Sequence, residues 1–256
     1  MSDNFKRNYI LGIPVDMVDM QQAVSKLQKL LEFRSCGLIV TPNSEIVINA
    51  GDDLELLEII RSADLIIPDG IGLVYASRLL GFPLKERVTG IDFLYRAFDV
   101  LAINKKSAYF LGGKPGKDNE PSVAELAAKE VEKKYPGMVI SGCHHGYFNA
   151  EEEARIVEEI NSSGTDFLCV GLGSPKQEKF IAKYQDQLKV KTAIGVGGSL
   201  DVLAGTVKRA PEFYRKHGLE WLYRFMREPV RYKRLAALPK FMIRVLISKK
   251  SSGENQ

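Results

Sequence analysis

No apolar run in the 256 residues approaches the ~18 needed to cross a bilayer. The opening stretch MSDNFKRNYILGIPVDM has an apolar run too short for a signal peptide and no small-residue cleavage site. The expectation is a protein that stays in the cytoplasm, where it can still lie on a membrane surface. Cysteine is scarce. Cys36, Cys143 and Cys169 are scattered, odd in number and without a CxxC pair. That argues against a disulfide framework or a zinc knuckle and for a reducing compartment. Each is read as a small packed hydrophobe, because no neighbour would lower a thiol pKa. Histidine is also rare, and His144 and His145 are adjacent. Adjacent residues on a strand point to opposite faces, a poor geometry for one metal. Glycine (22) and proline (11) stand near average use, which excludes collagen-like and low-complexity chains.

Three motifs are missing as well. There is no GxxxxGK[ST], so no Walker loop, and no GxGxxG after the first strand, so NAD is poorly supported. There is no Asp-x-Asp, the usual metal clamp on a sugar nucleotide diphosphate. Any diphosphate charge would have to be met by Arg, Lys or backbone N–H groups. We therefore expect no metal and no cofactor.

What is present is an ordinary globular composition, 45% apolar and 27% charged, in a chain long enough for one large α/β domain and an appendage. Strand-like runs occur at 37–41 (GLIVT), 64–68 (DLIIP), 107–111 (SAYFL), 138–141 (MVIS), 166–170 (DFLCV) and 192–196 (TAIGV). A pair near 9–18, broken by Gly12-Ile13-Pro14, reads as a hairpin or edge strand. Helical periods lie between these runs, as in Val24, Leu27, Leu30 and Leu31. Strands alternating with helices predict βαβ units and a mainly parallel, Rossmann-like sheet. Continuous apolar runs fit strands covered on both faces. The α/β core is placed at 1–205, a basic amphipathic helical appendage at 206–250 and a disordered tail at 251–256.

Nearly every strand run ends in a polar, glycine-bearing motif, and in a parallel sheet those ends line the ligand crevice. Gly112-Gly113, the Gly171–Gln177 loop with Gly173, and the 195–201 loop with Gly197 are candidates for phosphate contact beside helix N-termini. By topology alone we place Gly112, Gly113, Gly173 and Gly197 in a donor pocket. Asp69 follows an apolar strand and stands at the rim between Pro68 and Gly70. It can serve as a general base with a raised pKa, or as the N-cap of the helix starting near Ile71. Asp52-Asp53 is read as a helix cap.

Charge is uneven. From 205 to 250 there are 13 Lys/Arg against only Glu212, Glu220 and Glu228, while the rest carries 23 basic and 29 acidic residues. An acidic body with a basic end suggests an anionic partner. Arg224, Arg227, Arg231 and Arg234 form one stripe if helical, among Trp221, Leu222, Tyr223, Phe225, Met226 and Tyr232. An aromatic, basic, amphipathic segment suits a membrane interface. No nucleic-acid module is recognisable, so no nucleic acid is expected as a partner.

Taken together, TPNSE (41–45), PDGIG (68–72), ERVTGID (86–92), HHGYF (144–148), GLGSPKQE (171–178), GVGGSLD (195–201), KRAP (208–211) and GLEWLYR…EPVRYKR (218–234) resemble the WecG/TagA/CpsF glycosyltransferases. The likeness runs from about residue 10 to 250, in the same order, with no departure at the motif positions. The basic end places it nearest the branch that builds the wall teichoic acid linkage unit. The resemblance implies transfer of N-acetylmannosamine from UDP-ManNAc to the 4-hydroxyl of GlcNAc-diphospho-undecaprenol, with inversion. It implies a core that can self-associate and a tail that helps form the site on the cytoplasmic membrane face. It assigns Asp69 as base, Thr41 and Asn43 to the same pocket, Arg87 to a phosphate, and Gln177 and Asp201 to the nucleotide sugar. Arg224, Arg231 and Arg234 would stabilise the departing UDP. Relatives use other UDP-sugars, such as ManNAc uronate, so a different surface polysaccharide is the alternative product. A non-catalytic nucleotide- or membrane-binding protein is the distant alternative.

Overall fold

The computed structural model describes residues 6–33, 35–118, 120–227 and 232–253, without the side chains of residues 224, 227, 232–236 and 251–253. Along the chain the elements are β1 (Arg7–Ile10), β2 (Ile13–Asp16), α1 (Met20–Leu30), β3 (Gly37–Val40), α2 (Ser44–Ala50), α3 (Leu54–Ser62), β4 (Leu65–Ile66), α4 (Ile71–Leu79), α5 (Gly90–Ile103), β5 (Ser107–Gly112), α6 (Val123–Lys134), β6 (Val139–His144), α7 (Ala150–Ser162), β7 (Phe167–Gly171), α8 (Lys176–Tyr184), β8 (Thr192–Gly195), α9 (Ser199–Leu203), α10 (Glu212–Lys216), α11 (Glu220–Arg227) and α12 (Tyr232–Gly253).

β1 and β2 form the expected hairpin. It is tied to the main sheet by the buried Asp16, which accepts from Arg7 Nε at 2.7 Å and from the backbone N–H of Ile66 at 2.8 Å. The other strands make one six-stranded sheet in the order β4-β3-β8-β7-β5-β6, and every pairing is parallel. The continuous apolar runs explain why. Alternation sends Leu38 and Val40 of β3 into one core layer and Ile39 into the other. β7 divides in the same way, with Leu168 and Val170 on one face and Phe167 and Cys169 on the other. β6, at the edge, is only half-buried.

The helices begin at side-chain caps. Asp19, Asn43, Asp53, Thr89, Ser122 and Asn149 each accept from backbone N–H groups of the first turn. Asp53 thus does what the Asp52-Asp53 reading expects. Cys36 and Cys169 are buried and Cys143 half-buried, all as free thiols. Burial, with some help from Asp64, pushes the Cys36 thiol up to about 12, and burial raises the other two. None is poised as a thiolate.

The histidine pair differs from expectation. His144 ends β6 and His145 lies beyond it, so strand alternation no longer separates them. Their rings sit 4.6 Å apart, and His144 Nδ1 lies 2.7 Å from the His145 carbonyl oxygen. Among the described residues no group of three His, Cys, Asp or Glu side chains is placed to hold a metal.

Beyond β8 the described chain is helical. α12 lies against α2 and α4. Phe241 and Val245 are fully buried and share a core layer with Val40 and Leu73, while Ile243, Leu246 and Ile247 on the same helix are exposed. No described helix is long and apolar enough to cross a membrane. Replacing Phe241 with Ala should cost about 3–5 kcal/mol of stability. Ile243→Gln on the opposite side should stay within about 0.5 kcal/mol of the parent. Urea unfolding midpoints test both, and an unmoved midpoint for Phe241→Ala would remove α12 from the core packing.

Candidate active site

At the carboxyl ends of β3, β4, β7 and β8 lies a cavity of about 290 Å³. Thr41, Asn43, Asp69, Arg87, Gly173, Gln177 and Gly197, all expected site residues, line it. They come from loops separated by up to 156 positions. They meet because parallel strands deliver all their carboxyl ends to one rim.

Asp69 is half-buried, and its backbone N–H donates to the Pro42 carbonyl at 2.9 Å, fixing the β4 end against the β3 end. The cap of α4 is Gly70, not Asp69. Gly70 holds φ +99°, a conformation in which a larger side chain would be strained. The cap reading of Asp69 is thus corrected by one residue, and the turn turns the carboxylate toward the cavity. A Cβ placed on Gly90 would lie 3.4 Å from Asp69 Oδ2 and 3.6 Å from Thr41 Oγ1. Both side chains therefore reach the same point, at the first turn of α5, where backbone N–H groups favour negative charge.

Asn43 spends Oδ1 capping α2, on Glu45 N at 2.9 Å and Ile46 N at 3.1 Å. Any ligand contact from it falls to Nδ2. Gln177 is 4% exposed. Its Oε1 accepts from Gly197 N–H at 2.9 Å and its Nε2 donates to Glu178 Oε1 at 2.8 Å. The side chain acts as a brace between the β7 and β8 loops. Arg87 is paired with Glu220, at the start of α11.

Other expected residues fall elsewhere. Gly112 and Gly113 do not line the cavity. β5 lies on the far side of β7, and Gly112 is pressed on Gly171, where an added Cβ would come within 2.4 Å of its carbonyl oxygen. Gly112 allows backbone approach within the sheet, and Gly113 makes room for the Val123 side chain at the start of α6, 2.5 Å from an added Cβ. Asp201 sits in the first turn of α9, half-buried and outside the cavity lining. Its carbonyl accepts from Thr206 Oγ1 at 3.0 Å and closes the following turn. Arg231 and the side chains of Arg224 and Arg234 lie outside the described residues.

A rim carboxylate, a glycine-bordered cavity and a helical cover supply the parts for moving a group onto a nucleophile. The sequence pattern described as Glycosyl transferase WecG/TagA/CpsF family matches residues 8–255. The chain belongs to that family. It is 36% identical over 243 residues, covering 94% of this chain and 91% of the relative, to a protein of Bacillus spizizenii (strain W23). A Staphylococcus aureus (strain MRSA252) relative is likewise 36% identical, with 94% and 92% covered. Both are named N-acetylglucosaminyldiphosphoundecaprenol N-acetyl-beta-D-mannosaminyltransferase.

Against this WecG/TagA/CpsF background, several cavity groups escaped the sequence reading. Glu220, Trp221 and Phe225 line the cavity from α11. Behind the lining, Arg209 donates to Asp92 at 2.7 Å. Burial alone would raise the Asp92 carboxyl, but the bonds from Arg209 and Thr89 hold it below the usual range. An acid between Glu212 and Glu228 in a segment of 13 Lys/Arg was the available signal for Glu220.

Glu178, next to Gln177 but outside the cavity lining, is 2% exposed, and Oε2 finds no hydrogen-bond partner among the described residues. Burial pushes its carboxyl up, against the bond from Gln177. A carboxyl that binds its proton more tightly when folded stabilises the fold below the ordinary carboxylate range. That contribution is lost as pH rises through the raised value. Glu178→Gln should remove this fall, so its stability relative to the parent increases with pH across that window. Glu178→Ala, which strands the Gln177 amide, should lose about 1–3 kcal/mol. Unfolding midpoints over a pH series decide it. Parallel curves for parent and Gln variant would show that Glu178 does not titrate between the states.

Proposed function

We propose that this chain transfers N-acetylmannosamine from UDP-N-acetylmannosamine to the 4-hydroxyl of N-acetylglucosaminyl-diphospho-undecaprenol, inverting the anomeric centre, in wall teichoic acid linkage-unit synthesis. The relatives' names supply the sugar and the lipid acceptor. The observation that carries the chemistry is Asp69, turned into the cavity beside Thr41 while Gly70 takes the helix cap.

In this reading the acceptor hydroxyl oxygen attacks the anomeric carbon from the side opposite UDP. The new carbon–oxygen bond forms as the bond to the diphosphate breaks, and Asp69 takes the hydroxyl proton. Half-buried and lining the cavity, the carboxylate is placed to accept that proton. Thr41 shares its reach and orients the sugar. Gln177, held at both ends of its amide, keeps the β7 and β8 loops at fixed separation around the nucleotide. Charge building on the departing UDP is met by arginine, from Arg87 and from Arg224, Arg231 and Arg234 of the tail. With no Asp-x-Asp in the chain, these cations replace a metal clamp, and the reading includes no metal.

The lipid acceptor requires contact with a bilayer surface. The exposed Ile243, Leu246 and Ile247 of α12, set among Lys240, Arg244, Lys249 and Lys250, supply an apolar row with basic neighbours. We place the protein peripherally on the inner membrane face, the core being the surface for any self-association.

Release of UDP from UDP-ManNAc, dependent on a short-chain GlcNAc-diphospho-lipid, tests the reaction. Asp69→Asn should lower kcat about 10²–10⁴-fold with donor KM little changed. EDTA should leave turnover unaltered. Near-normal kcat in the variant would remove Asp69 as base, and release only with another UDP-sugar would change the donor.

The surface contact is tested separately with Ile243→Gln/Leu246→Gln/Ile247→Gln, which spares the buried face of α12. The triple variant should sediment less with phosphatidylglycerol vesicles, and added salt should weaken what binding remains. Sedimentation equal to the parent would place the contact elsewhere.

A further inference from the structure

We propose that Glu220 is a positioning residue of the transfer site: by holding Arg87 it fixes that arginine in the cavity wall and fastens α11 across the cavity. The inference rests on reading the cavity as the transfer site.

Glu220 opens α11, where an acid is unremarkable on helix-dipole grounds. Such an acid would lie exposed. Glu220 is 7% exposed, in the one segment of the chain where cations outnumber acids by more than four to one. Its Oε2 accepts from Arg87 Nη2, and its Oε1 stands 4.0 Å from Arg209 Nε. Arg87 comes from the loop before α5, 133 positions away, and Arg209 from the loop after α9. One carboxylate thus bonds the distant Arg87 loop to α11 and sits within ion-pair reach of Arg209, 11 residues upstream. Arg87 reaches the tail a second time through the Arg215 carbonyl, at 3.5 Å.

A buried ion pair adds little net stability, because desolvation offsets the attraction. What it does impose is geometry, since a guanidinium deprived of water takes up the one arrangement its acceptor allows. Both Arg87 and Glu220 line the cavity, so the imposed geometry is that of the cavity wall. The arginines are not saturated: Nε of Arg87, Arg209 and Arg215 are buried without hydrogen-bond partners among the described residues. Three guanidiniums face Glu220 and Asp92, a local excess of positive charge; of the three only Arg87 lines the cavity, whose wall also carries Glu45 and Asp69. Glu220 balances that charge in part and keeps Arg87 from turning out to solvent.

The chain contains a single tryptophan, Trp221, next to Glu220 and 39% exposed in the cavity lining. Its emission reports α11 without any substrate. In the full-length protein, Glu220→Ala should shift Trp221 emission to the red and increase acrylamide quenching, with Arg87→Ala doing the same and Glu220→Gln less. Turnover of the Ala variant should fall on the order of 10²-fold in kcat, as for a site loosened by an ångström. The double variant should be no slower than Arg87→Ala alone, because both remove one contact. Circular dichroism identifies a variant that fails to fold, and the Glu220→Gln and Arg87→Lys proteins then carry the comparison. Unchanged Trp221 emission in folded variants, or kcat losses that multiply, would overturn the proposal. If even the parent turns over no UDP-sugar, the function reading fails, while the emission data still decide whether Glu220 fastens α11.

Discussion

Because the six strands are all parallel, every carboxyl end and every following loop emerges at the same rim. Nothing else would bring Thr41, Asp69, Gln177 and Gly197 to one cavity. Strand order then selects among the rim loops. β3 lies between β4 and β8, and β7 follows, so these four ends surround the site. β5 and β6 lie beyond β7, and their loops form a separate stretch of the rim. The site is therefore a consequence of order as much as of direction. The same order explains why residues adjacent in function are distant in sequence.

The strands were legible because a strand covered on both faces must be apolar throughout, and β3, β5 and β8 are buried at every position. Asp69 was legible for a related reason: a carboxylate that directly follows such a strand has to stand at its end. Its local role was harder to read, since a shift of one residue separates a cap from a cavity group. Gly70 decides it, by taking a backbone conformation that few other residues share. Gly112 and Gly113 look identical in sequence to the glycines that do line the cavity. Only the pairing of β5 with β7 assigns them to packing, and pairing order is not written in local pattern. Glu178 and Glu220 were passed over because an acid on a helix ordinarily faces water. Their burial comes with tertiary partners that local pattern does not show, the Gln177 amide for Glu178 and Arg87 for Glu220.

The site's electrostatics divide into two neighbourhoods. Around Gln177 the bonds are those of an amide clamped between a backbone N–H and a buried carboxyl, with no cation among the described partners. Around Arg87 they are charge-assisted and cationic in excess. Neutral donors and acceptors hold shape without demanding a counter-charge, whereas guanidiniums favour an anion beside them.

α12 joins the cavity to the molecule's outer surface. One side of it buries Phe241 and Val245 against the core, and the other exposes Ile243, Leu246 and Ile247. The elements it covers are α2 and α4, which begin immediately after Asn43 and Gly70. At Gly72, in the first turn of α4, an added Cβ would meet Leu238 at 2.8 Å and Phe241 at 3.5 Å. The helix that offers an apolar row to a surface is thus packed on the helix that starts two residues after Asp69. Close packing between α12 and α4 lets that contact transmit small displacements toward the Asp69 turn instead of absorbing them.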